Sequence, residues 1–205
     1  VDLTPPVILV TGVAEGGLYG TPVAPFVTIT DTHLNPASVV ILLGGQPYVS
    51  GTQITEEGTY TLHVAASDLA GHSAEVSMAF ALDTQAPAIV IAGVEDGAWY
   101  NHDVTPTVAV SDAHLDPASV QITLNGQAFT SGTPVTEEGY FVLDATASDL
   151  AGHQAHQSLA FAVDKTAPQI QVSTPPDNGI TKDNPVTLSG SVLDAHPETL
   201  TVNAQ

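Results

Sequence analysis

The stretch Asp31–Val39, DTHLNPASV, returns at Asp112–Val120 as DAHLDPASV. The two copies stand 81 residues apart, and the match extends outward from them without a gap until Asp2–Leu82 lies on Asp83–Val163. About half of the aligned positions are identical, which is the signature of a duplicated structural unit. TEEG recurs at 55–58 and 136–139, and ASDLAGH at 66–72 and 147–153. A third copy opens at Asp164, where DKTAP (164–168) matches DTQAP (83–87). LDAH (193–196) then matches SDAH (111–114) after one inserted residue, and LTVNAQ (200–205) echoes ITLNGQ (122–127). The chain therefore reads as unit 1 over 1–83, unit 2 over 84–164 and a partial unit 3 over 165–205.

Inside each unit the apolar residues alternate with period two, which is the pattern of half-buried strands. Tyr60, Leu62, Val64 and Ala66 fall on one face, with Thr61 and His63 on the other. Ala74, Val76, Met78, Phe80 and Leu82 line one face of the following strand, and Val120, Ile122 and Leu124 alternate with Gln121 and Thr123. Turn signals separate these runs at Gly16-Gly17, Gly44-Gly45, Ser50-Gly51, Asn125-Gly126 and Asn178-Gly179. No segment sustains a helical period. Many short strands at this spacing predict an all-β sandwich in each unit. TPP (4–6), QAP (85–87) and TAP (166–168) put proline between units, where its fixed φ makes short, semi-rigid joints and hence an extended rod.

Composition narrows the function. There are 22 acidic residues and two basic ones, Lys165 and Lys182, giving a net charge of −20. Such a chain repels nucleic-acid phosphate and anionic membrane, and attracts cations. With no cysteine, disulfides, thiolate nucleophiles and Cys-based zinc sites are excluded. The apolar run Val39–Leu43 is strand-sized, far short of the ~20 residues of a membrane helix. The first residue is Val1 rather than Met, which reads as a processed or cropped piece of a longer chain. There is no G-x-S-x-G, no H-E-x-x-H and no glycine-rich phosphate loop, so an enzyme is not expected.

EEGTYTL (56–62) resembles the tyrosine corner of immunoglobulin domains, with Leu62 where an antibody domain has its second Cys; in unit 2 Phe141 takes the place of Tyr60. Together with D-x-x-x-P at the start of each unit, GVxxGxxY, DxHL, LxGQ, TEEG and ASDLAG, this resembles the bacterial Ig-like repeats of long secreted and cell-surface proteins. The departure is at His72 and His153, where relatives of that kind usually carry Asn after DLAG. The resemblance implies tandem immunoglobulin-like β-sandwiches, an extracellular location and a structural or adhesive stalk. Its partners would be neighbouring domains of the same chain, and possible outside partners are a cell-surface receptor, a glycan, or copies of itself. A fibre built by strand complementation through the incomplete unit 3 is one alternative. A carbohydrate-binding accessory module using Trp99 and Tyr100 is another.

The immunoglobulin strand order brings acidic groups to the joints. Glu15, Glu56 and Glu57 would lie near Asp83, facing Asp112, His114 and Asp149 of unit 2; one joint further on stand Glu95, Asp96, Glu137, Glu138, Asp164, Asp194 and His196. Calcium takes six to eight oxygens, and Asp83, Asp112, Asp149, Glu56 and Glu57, then Asp164, Glu137, Glu138 and Asp194, are candidate Ca²⁺ ligands. The alternative for the same aspartates is turn closure through their own backbone bonds. The repeated histidines are candidates for transition-metal binding, for pH sensing, or for plain loop residues copied by duplication.

Overall fold

The structure is a computed structural model, and it describes residues 2–174, 180, 182 and 187–194. Asn178-Gly179, His196 and residues 200–205 lie outside the described residues.

Unit 1 contains seven strands: β1 (Val7–Thr11), β2 (Gly17–Tyr19), β3 (Phe26–Thr30), β4 (Val40–Leu43), β5 (Gln46–Pro47), β6 (Gly58–Ser67) and β7 (Ser73–Leu82). β1 pairs antiparallel with β3, and an isolated bridge, Val23↔Ile54, continues that layer. The opposite layer runs β2-β7-β6-β4-β5, with β2 parallel to β7 and the other pairs antiparallel. Unit 2 repeats this with β8 (Ala88–Ala92), β9 (Trp99–Tyr100), β10 (Thr107–Ser111), β11 (Gln121–Leu124), β12 (Gln127–Ala128), β13 (Gly139–Ser148) and β14 (Gln154–Val163), in the sheets β8-β10 and β12-β11-β13-β14-β9. β15 (Gln169–Thr174) and β16 (Ser189–Leu193) form an antiparallel pair in unit 3.

The alternation read from the sequence places the core. Leu62, Val64, Phe80 and Leu82 are buried between the layers of unit 1, while Leu143, Leu159, Phe161 and Val163 fill unit 2. These are separate clusters, one per unit. The tyrosine corner is formed: Tyr60 Oη donates to the Glu56 carbonyl at 2.6 Å, and the ring stacks on Phe80. Phe141 lacks the hydroxyl yet keeps the stacking, on Phe161 with ring centres 5.4 Å apart.

The end of each unit that receives the chain carries the β3–β4 and β6–β7 loops; the end that releases it carries the β2 terminus and the turn before β6. DxHLxPAS has a local explanation at this leading end. Asp31 Oδ1 accepts from His33 N–H, Asn35 caps a single 3₁₀ turn (Pro36–Ser38), and Ser38 Oγ donates to the Asn35 carbonyl while accepting from Ser67 N–H. Asp112, Asp116, Ser119 and Ser148 repeat the arrangement. The histidine of each motif is thereby held over the β6–β7 or β13–β14 hairpin, whose Leu69 or Leu150 N–H donates to its carbonyl.

Candidate functional site: the joint between units 1 and 2

Three buried charged residues occur among the described residues: Asp68, Asp83 and Asp149. All lie at leading ends. A buried carboxylate is costly unless hydrogen bonds replace its water, and here each is satisfied. Asp83 Oδ2 is 2.6 Å from His114 Nδ1, and its Oδ1 accepts from Gln85 N–H. Asp149 Oδ1 accepts from His153 N–H and its Oδ2 from His153 Nδ1, both at 2.8 Å.

His153 also reaches out of its own unit, since Nε2 lies 2.9 Å from the carbonyl oxygen of Gly20. A carbonyl only accepts, and so does an ionised carboxylate, so both ring nitrogens must donate. This geometry favours the doubly protonated ring, in which both nitrogens donate and His153 ties Asp149 to the backbone of unit 1. The fit is close: a Cβ on Gly20 would stand 2.5 Å from the Ala151 carbonyl oxygen, so this turn tolerates no side chain.

The electrostatics agree with the geometry. The hydrogen bond to Asp149 is the largest influence on His153 and raises its pKa above 6.5; burial opposes this, while the Gly20 carbonyl and the charges of Asp149 and Asp83 add to it. For Asp149, burial is the largest single influence and pushes upward, but the bonds from His153 and Gly152 together outweigh it and hold the carboxyl below 3.8. The sign for stability follows. The raised His153 contributes fully below pH 6.5 and loses its contribution as pH rises through its folded value; the depressed Asp149 contributes above pH 3.8 and fails as pH falls through its own. The joint is tightest between those limits. Melting curves of the whole chain should therefore fall from pH 6 to pH 9 more steeply than those of a His153→Gln variant; parallel curves would remove the imidazolium from the joint.

Unit 1 carries the same cluster at its own leading end. Asp68 pairs with His72 at 2.7 Å and Asp2 with His33 at 2.9 Å. Asp2 is pulled down to about 2, first by the Thr4 N–H and then by His33.

Of the nine candidate ligands, the structure brings Asp83 and Asp149 together, and Asp83, Asp149 and His153 offer ligand atoms within 4.8 Å of one another. Asp112 is tied in through His114 N–H. The paired glutamates have other work. Glu57 accepts from the N–H and hydroxyl of Thr84, bracing the linker, while the Glu56 carbonyl serves Tyr60. Glu138 braces the next linker by accepting from Lys165 N–H and Thr166 Oγ1, and Asp164 Oδ1 accepts from Thr166 N–H. Lys165 Nζ reaches Asp103 at 2.9 Å, with Glu137 among the charges that raise its pKa. Glu15 and Asp96 bond backward to Ala79 and Ala160 N–H. Asp194 is half-buried at the end of β16. Acidity with almost no lysine or arginine suggested carboxylates in need of an external cation. The structure sets a histidine ring nitrogen against Asp2, Asp68, Asp83 and Asp149, a pairing that the sequence signals by the recurrence of His33 with His114 and His72 with His153.

Trp99 is half-exposed and meets Tyr140 edge to face, with ring centres 5.0 Å apart. The two rings flank buried Ala162 in one cross-strand row, while the Tyr100 hydroxyl accepts from Glu95 N–H.

No protein-family model and no curated protein matches the chain. Among solved structures it is similar to fibronectin(III)-like modules of Clostridium thermocellum CbhA, at 16% identity and TM-score 0.36, covering 77% of this chain and 94% of that one. It is also similar to the eight N-terminal Ig domains of Down Syndrome Cell Adhesion Molecule, at 20% identity and TM-score 0.45 over 83% of this chain and 25% of that one. Sidekick-1 immunoglobulin domains 1–4 match at 15% identity and TM-score 0.44, over 78% and 49% of the two chains. Among the described residues no helix is long and apolar enough to cross a membrane. On its own strand order, with two layered sheets, a tyrosine corner and one core per repeat, the chain is an all-β protein of tandem immunoglobulin-like sandwiches.

Proposed function

We propose that this chain is a load-spanning spacer, a rod of immunoglobulin-like sandwiches belonging to the stalk of a bacterial extracellular or cell-surface protein. The observation that carries this reading is the bond from His153 of unit 2 to the Gly20 carbonyl of unit 1, across a linker braced by Glu57. Beads that move independently have no use for a buried, charge-balanced contact at their boundary. A spacer needs its joints to hold an angle.

Calcium at this joint is a narrower proposal. An incoming Ca²⁺ would share the Asp149 carboxylate with the His153 ring, so a protonated histidine clasp and calcium oppose each other there. Residual dipolar couplings measured on the whole chain at pH 6 test both. Couplings from the two sandwiches should fit one alignment tensor, and chelator should leave the fit and the melting temperature unchanged. Two unequal tensors would overturn the rigid joint. A rise in melting temperature with millimolar Ca²⁺, absent with Mg²⁺, would replace the histidine clasp with a metal one.

A further inference from the structure

We propose that the leading face of unit 1, formed by Asp2, His33, Asp68 and His72, is a docking face for the trailing end of another sandwich of the same repeat type. The proposal rests on the rigid-joint reading above. The repeat offset maps Asp83, His114, Asp149 and His153 onto these four residues, and the internal bonds agree: Asp149–His153 at 2.8 Å against Asp68–His72 at 2.7 Å, and Asp83–His114 at 2.6 Å against Asp2–His33 at 2.9 Å. On unit 2 this face is seated by a known occupant, the Gly20 turn. On unit 1 the same groups are more open: the His33 side chain is 58% exposed against 33% for His114, and that of His72 is 36% exposed against 25% for His153. His72 Nδ1 is fixed by Asp68, which aims Nε2 outward as in His153, and among the described residues no acceptor meets it.

The occupant is defined by what fits on unit 2. It must present a backbone carbonyl to Nε2, from a residue without a side chain, because a Cβ at Gly20 collides with the hairpin carbonyl of Ala151, whose counterpart in unit 1 is Ala70. In unit 1 Gly20 directly follows β2; unit 2 has Asn101 at the matching place. The partner is therefore a sandwich with a unit-1 type of trailing end, and a unit-2 type is rejected.

The test is a lengthened chain in which a second copy of residues 2–82 precedes Asp2 of the full sequence, read by NMR of the histidine rings at pH 6. The expected result is that the His72 ring resonances move to the pattern of His153, with a slowly exchanging Nε2–H. The same chain with Gly20→Asn in the added copy alone should return His72 to its original position. A His72 signal that does not move, while His153 keeps its own slowly exchanging proton, would overturn the docking face and leave the joint intact. Absence of that proton from both histidines would show that the clasp itself is wrong, and the docking face with it.

Discussion

Replacing Phe161 with alanine should destabilise unit 2 by about 3–5 kcal/mol, the usual loss for a buried phenylalanine. The ring is 2% exposed, stacks on Phe141 and meets Tyr100 edge-on, so truncation opens a cavity with aromatic walls on two sides. A single domain has only about 5–15 kcal/mol to lose, so the change removes a large part of the margin. The core of unit 1 shares no residue with that of unit 2. Calorimetry should show one transition moving down by about 15–30 °C while the other stays near its place. If both fell together, the sandwiches would be one cooperative body and the clasp a far stronger coupling than two hydrogen bonds allow.

Asp149→Ala attacks the joint and the hairpin together. The carboxylate serves the His153 N–H, the His153 ring and the Gly152 N–H, and its removal leaves the part-buried His153 donors without their acceptor, at about 1–3 kcal/mol. The melting temperature of unit 2 should drop by about 5–15 °C. The freed imidazole would no longer be aimed at Gly20, so the two sandwiches should also lose their common alignment. Asp149→Asn keeps one acceptor for the hairpin but no charge for the ring, and should spare stability more than alignment. Asp68→Ala is the control. It removes the same carboxylate from unit 1, at the end away from the joint with unit 2, and should cost unit 1 stability without disturbing that joint. A joint that survives Asp149→Ala would show that Pro87 and the Glu57 brace hold the angle alone.

Much of this fold was legible because its signals are local and repeated. Period-two burial in 58–67 and 73–82 is written in alternating residues, and a β-sheet face requires that alternation wherever one side is buried. The tyrosine corner was legible from one residue and the turn before it. The short turn at Pro36–Ser38 was not, because three residues give no period. The joint was half legible. The strand order rightly brought Asp83 and Asp149 together, but the glutamates were assigned by proximity alone. Glu57 lies one residue from Glu56 and differs from it only in having Thr84 N–H within reach, a distance that the sequence does not carry. His153 was harder still, since its importance depends on Gly20, 133 residues away.

The parallel pairing of β2 with β7 has a mechanical meaning. Tension along the chain pulls the start of β2 toward the leading end and the finish of β7 toward the trailing end. Gly17, Leu18 and Tyr19 are registered on Phe80, Ala81 and Leu82, so their bonds lie across the load and are sheared together rather than unzipped singly. The Tyr19 carbonyl accepts from Asp83 N–H at the point where the force leaves the sandwich. Units 1 and 2 thus resist stretching at the strand pair beside their exits, and in unit 1 that pair leads to Gly20, where unit 2 takes hold.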